Sequence, residues 1–185
     1  MVEWLNQSLE IGTVIWLFPI IFMLHDFEEI FTVESWLNKN KATMYNLLPA
    51  RLQSFHGFFE RRFPIKTAQF SVAVAWIFLL LSAITLFTVQ SLPDGGSFLV
   101  VYIAALHILF VNVFTHVGQA ILYRGYTPGV ITAIALLFPY SLYTYYRLLL
   151  EGYIDWQVIW TAFPLSIVLL LLIVPGLILG RKVIS

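Results

Sequence analysis

The chain has 185 residues, 60% of them hydrophobic and only 11% charged, with a mean hydropathy of +0.87. This excludes an ordinary soluble domain and points to a single integral membrane domain over residues 1–185, an all-α polytopic helix bundle. Ten basic and ten acidic residues cancel, so nothing draws the chain to nucleic acid, and the lack of cysteine excludes disulfides and thiolate metal sites.

In chain order, span-length apolar runs predict about five transmembrane helices, at roughly 11–33, 67–89, 97–122, 128–150 and 156–180. The acidic N-terminus lacks the basic start of a secretory leader, so the first run is expected to stay as a span. Pro19, Pro139, Pro164 and Pro175 fall inside these runs and predict bent helices rather than helix ends. The runs are too continuously apolar for a membrane barrel. Between the first two, "LLPARLQSFHGFFERRF" places Leu52, Phe55, His56, Phe59 and Phe63 on one stripe edged by Arg61 and Arg62. That pattern predicts an amphipathic helix at about 49–63 lying in the inner interface. With the N-terminus outside and the C-terminus in the cytoplasm, nine of the ten basic residues lie on the inner side and only Arg147 outside. In a bacterium that membrane is the plasma membrane.

Polar residues interrupt the first and third runs. In "FMLHDFEEIFT", His25, Glu28 and Glu29 stand three and four apart and share a helical face continued by Thr32, with Asp26 and Phe27 turned elsewhere. In the third run Asn112, His116, Gln119 and Tyr123 recur at four, three and four, while His107 lies half a turn away and faces another neighbour. Both runs descend from outside to inside. At about 1.5 Å per residue, His25 lies roughly 21 Å down its helix, and Asn112 and His116 lie roughly 22 and 28 Å down theirs. They share a level in the inner third of the bilayer, close to the turn "YRGYTPG" and to His56 and Glu60 of the interfacial helix.

Ionisable groups at that depth cost at least about 2–3 kcal/mol each unless paired, hydrated or bound to a cation. Adjacent glutamates sharpen the problem, and a divalent ion would resolve it. His25, His116 and Glu29, with His56 as a further nitrogen, are the candidate metal ligands; zinc is the expected ion, with iron or manganese as alternatives. Glu28 and Glu29 are the candidate acid/base groups and Asn112 an orienting group; Gln119, Tyr123, Tyr126 and Gly129 are candidate substrate contacts. The "YTPG" turn sets a helix start whose free amides suit an anion, a phosphate or a developing oxyanion. Bland readings compete with these: a juxtamembrane cluster reaching for headgroups, or interhelical hydrogen bonds that only glue the bundle.

"HDFEE" at 25–29, "NVFTH" at 112–116 and "YTPG" at 126–129 together resemble the HXXEE family of small integral membrane proteins. The resemblance implies that His25, Glu28, Glu29, Asn112, His116, Tyr126, Pro128 and Gly129 act together, but it supplies no reaction. The expected function is therefore a metal-dependent membrane hydrolase acting on a lipid or other amphiphile at the inner leaflet. The alternatives are a metal-free acid/base isomerase of an apolar substrate and a proton or metal-ion carrier. The carrier is disfavoured by outer half-spans holding only scattered polar residues such as Thr13, Ser97 and Thr161.

Overall fold

The computed structural model describes residues 2–47 and 66–184, and the described residues are helical with no strand among them. Their helices are α1 (Val2–Ser8), α2 (Ile11–Leu47), α3 (Thr67–Ser91), α4 (Leu99–Tyr123), α5 (Val130–Thr132), α6 (Phe138–Leu150), α7 (Trp156–Leu170) and α8 (Ile173–Val183). The predicted interfacial helix at 49–63, with His56 and Glu60, lies outside the described residues.

By length and apolar character three helical stretches can cross a membrane: Thr67–Asp94, Leu99–Tyr123 and Trp156–Val183. A fourth is added if α1 and α2, which meet at a bend of 103°, count as one. The expectation of five is thus met only in part. The stretch 130–150 is the one left out; it is one unbroken helical run, but Tyr140, Tyr143, Tyr145, Tyr146 and Arg147 dilute its second half.

The prolines shape these helices in different ways. Pro19 sits inside α2 and Pro164 inside α7 without interrupting either. Pro139 follows a π-helical turn at Ala133–Leu137, which joins α5 to α6 and lets the backbone widen where the pyrrolidine ring would strike the preceding turn. Pro175 cannot donate to the Leu171 carbonyl, and the chain breaks at Leu171–Leu172 between α7 and α8.

The core lies among α2, α4 and α6. Phe18 meets the Tyr102 ring edge-on at 5.3 Å and stacks on Tyr140 at 6.2 Å. The two tyrosine hydroxyls are 2.8 Å apart, and Tyr140 donates to the Val14 carbonyl at 3.0 Å, so the buried phenols are satisfied. The α8 helix packs against α3 through Gly176 and Gly180. A Cβ on Gly180 would lie against the Gln69 backbone, so this contact depends on the absence of a side chain.

The end of the bundle at the α1–α2 corner is fastened by Arg147, which is buried on α6. Its guanidinium pairs with Glu151 and donates to the Tyr143 hydroxyl at 2.9 Å and the Leu9 carbonyl at 3.1 Å, tying the α1–α2 corner to α6. At the opposite end Glu34 accepts from the Thr67 amide and hydroxyl and secures the start of α3.

A His/Glu centre between the first and third predicted spans

α4 ends with Arg124 in the left-handed region, and the Gly125 amide returns to the Ala120 carbonyl, a C-terminal cap that turns the chain at "YRGYTPG". Pro128 and Gly129 then start α5. The turn carries α5 back against α2, so that the first amides of α5 face Glu28.

Glu28 is fully engaged there. It accepts from the Thr132 amide at 2.7 Å, the Thr132 hydroxyl at 2.5 Å, the Ile131 amide at 3.3 Å and the Tyr126 hydroxyl at 3.0 Å. The helix start that the sequence offers to an anion is filled by a carboxylate of the chain itself. Thr132, which the sequence reading did not single out, is the pivot. Its hydroxyl gives its proton to Glu28 and lies 3.0 Å from His25 Nδ1, so Nδ1 carries a hydrogen and Nε2 is left with a lone pair.

That lone pair faces a small polar centre. His25 and His116 are both buried, with ring centroids 4.8 Å apart and planes at 77°. The Asn112 amide nitrogen lies 3.3 Å from His25 Nε2 and 3.1 Å from His116 Nε2. The Thr115 hydroxyl on the Asn112 amide oxygen, at 3.0 Å, fixes which end of the amide faces the imidazoles. Glu29 Oε1 lies 3.2 Å from His116 Nε2 and 4.0 Å from His25 Nε2. His116 turns its Nδ1 side toward the Pro128 carbonyl at the start of α5.

His25, Glu29 and His116 each offer one ligand atom, and the three atoms lie within 4.8 Å of one another. Tetrahedral coordination at zinc–ligand distances of about 2.0–2.1 Å places neighbouring donors roughly 3.3 Å apart. The His116–Glu29 separation already matches, and the His25–Glu29 separation closes with a small side-chain rotation. The donor set is of the kind that holds a divalent ion, and the three ligand atoms, spread over as much as 4.8 Å, would have to draw together to bind one.

Gly129 forms the wall of this centre. Its φ is +82°, and a Cβ there would come within 2.6 Å of His116 Cε1, 2.9 Å of His25 Cε1 and 3.0 Å of Glu29 Oε1. Both the backbone and the space require glycine.

The remaining sequence candidates are placed as follows. Tyr126 holds Glu28 and reaches Thr32 at 3.2 Å, and its carbonyl accepts from the Trp36 indole. Tyr123 packs edge-on against Trp36 at 4.8 Å, away from the imidazoles. Gln119 is exposed and makes no hydrogen bond with the cluster. His107 lies outside the centre, as expected, with Nδ1 3.3 Å from the Ser166 hydroxyl on α7. Asp26, left out of the candidate set, is buried, 6% exposed, with Oδ2 unpartnered among the described residues, and it lines a cavity of about 340 Å³ together with Glu29 and Asn112.

Fold and centre together define a class: a helical protein with membrane-length apolar helices and a buried His/Glu/Asn cluster. The family model described as a protein of unknown function with HXXEE motif matches residues 16–144, and the chain belongs to that family. No curated protein and no solved structure matched the chain.

Proposed function

We propose that the protein is a metal-dependent membrane enzyme, with His25, His116 and Glu29 as ligands and hydrolysis of a lipid or other amphiphile as its reaction. The observation that carries this reading is the convergence of two imidazole Nε2 atoms and one carboxylate oxygen, drawn from α2 and α4, onto a single point walled by a glycine. Three protein ligands and a free position are the pattern of hydrolytic zinc centres, in which the ion polarises a carbonyl or activates a water. Zinc is the expected ion, with iron or manganese as alternatives.

Glu28 takes a different part from the one its position in the motif suggests. With its oxygens committed to Thr132, Ile131 and Tyr126, it acts as a positioning residue that sets the His25 tautomer through the Thr132 hydroxyl. Proton transfer would then fall to Glu29 through the carboxylate oxygen that does not face the imidazoles. Asn112 bridges the two Nε2 atoms, and its amide would have to give up these contacts for an ion to be held there.

In this reading the chain has five spans, the fourth being the run at about 128–150, with the N-terminus outside and the centre near the cytoplasmic leaflet. Opposite termini are testable with reporter fusions at each end.

The decisive test is elemental analysis of protein purified without added metal. Zinc, iron or manganese near one per chain, lost in His25→Ala and His116→Ala, supports the proposal. Folded protein free of metal overturns it in favour of a metal-free acid/base isomerase. One observation favours that second reading: the Asn112 amide already satisfies both Nε2 lone pairs without an ion.

A further inference from the structure

The cavity beside the centre is apolar except at one end. On α2 its wall runs along Phe18, Phe22, Asp26 and Glu29, a stripe of about 16 Å at the helical rise. The facing walls are aliphatic, from Ile77 and Leu81 on α3 to Leu109 on α4, and Asp26, Glu29 and Asn112 are the polar groups at the inner end. Among the described residues Asp26 Oδ2 has no hydrogen-bond partner, although the residue is almost wholly buried. An orphan carboxyl oxygen in a dry wall calls for a ligand atom. The lining also includes Leu170 and Leu172, which are 44% and 40% exposed, so the cavity reaches the lateral surface of the bundle at the break between α7 and α8.

Volume limits the occupant. About 340 Å³ is at the lower end of the roughly 300–1,000 Å³ range of ligand pockets, room for one hydrocarbon chain and not for the two chains of a phospholipid. A long narrow apolar wall suits such a chain, and a carboxyl at its end suits a hydroxyl, which pairs with that group as donor or acceptor. We propose that this cavity takes a single-chain amphiphile bearing a hydroxyl near its head, admitted sideways from the bilayer, with Asp26 holding the hydroxyl beside Glu29 and Asn112. Its standing as a substrate rests on the metal-dependent reading above; its binding does not.

The test is photolabelling in nanodiscs with a diazirine-bearing long-chain fatty alcohol, with labelled peptides mapped by mass spectrometry. Labelling should concentrate on the cavity faces of α3 and α4, around Ile77–Ile84 and Ala105–Leu109, and be competed by the unlabelled alcohol. Ala105→Phe, which fills the cavity, should lower labelling about tenfold. Ala73→Leu, a milder filling, guards against loss of the fold, and both variants keep their metal. Asp26→Leu should abolish the advantage of the alcohol over the corresponding alkane as competitor. Label spread over the lipid-facing residues Leu86, Phe163 and Ile167 and unchanged in the filled variants overturns the proposal, as does labelling that ignores Asp26. A metal-free protein that still labels in the cavity defeats the metal reading alone, and a metal-loaded protein that does not label there defeats this inference alone.

Discussion

Two polar clusters lie in this apolar bundle, one at each end, and they are satisfied to different degrees. At one end Arg147 spends its guanidinium on Glu151, Tyr143, Asn6 and the Leu9 carbonyl. At the other, among the described residues, Asp26 Oδ2 is buried without a partner, and Glu29 meets only the imidazoles of His25 and His116. Elsewhere among the described residues the buried side chains lacking a partner include the neutral hydroxyls of Thr85, Ser141 and Tyr145, which cost less than an ionisable group. A cluster whose hydrogen bonds are complete holds a fold together, whereas one kept incomplete at comparable cost is waiting for something to bind.

That contrast can be broken at several points. The largest effect is expected from Arg147→Leu, which strands Glu151 and frees the α1–α2 corner; stability in detergent should fall by about 2–3 kcal/mol with metal content unchanged. Gly129→Ala should cost about 1–2 kcal/mol for its left-handed backbone and, unlike Arg147→Leu, should empty the centre, read as metal per chain. Thr132→Val removes the hydroxyl shared by Glu28 and His25 and should weaken metal binding by about 10–100-fold in a competition titration with a chelator, with the helices intact. The two glutamates should then separate. Glu28→Gln should lower the melting temperature, by about 1 kcal/mol of stability, because it weakens charge-assisted bonds to α5, whereas Glu29→Gln should leave metal-free protein as stable or more so while abolishing metal binding. His107→Phe, outside both clusters, should change neither quantity measurably.

Much of the centre was legible in the sequence, because i, i+3 and i, i+4 spacing fixes what shares a helical face. That rule brought His25 to Glu29 and Asn112 to His116, and counting depth along two parallel helices brought the pairs to one level. The same rule could have found Asp26. It stands three before Glu29 and four after Phe22, on the stripe Phe18, Phe22, Asp26, Glu29 that lines the cavity, and it is missed when His25 alone is taken as the reference. The role of Glu28 depends on Thr132, 104 residues away, and no local periodicity carries that pairing. The clue was the helix start after "YTPG", which needs an anion and finds one already in the chain. The number of spans was less legible than their positions, since Tyr140 and Arg147 of the 130–150 run are buried against other helices while lowering its apolar character.

The clasp between Glu28 and the start of α5 also sets an order of events during synthesis. The carboxylate leaves the ribosome 104 residues before the threonine that receives it, an interval of roughly 5–20 s at translation rates of about 5–20 residues per second. Throughout that time the Glu28 carboxylate must find other donors. A chain truncated before Thr132 therefore carries the whole "HDFEE" sequence without the Glu28 clasp, and released chains ending just before that residue and well beyond it should differ in how readily a protease cuts between α4 and α5.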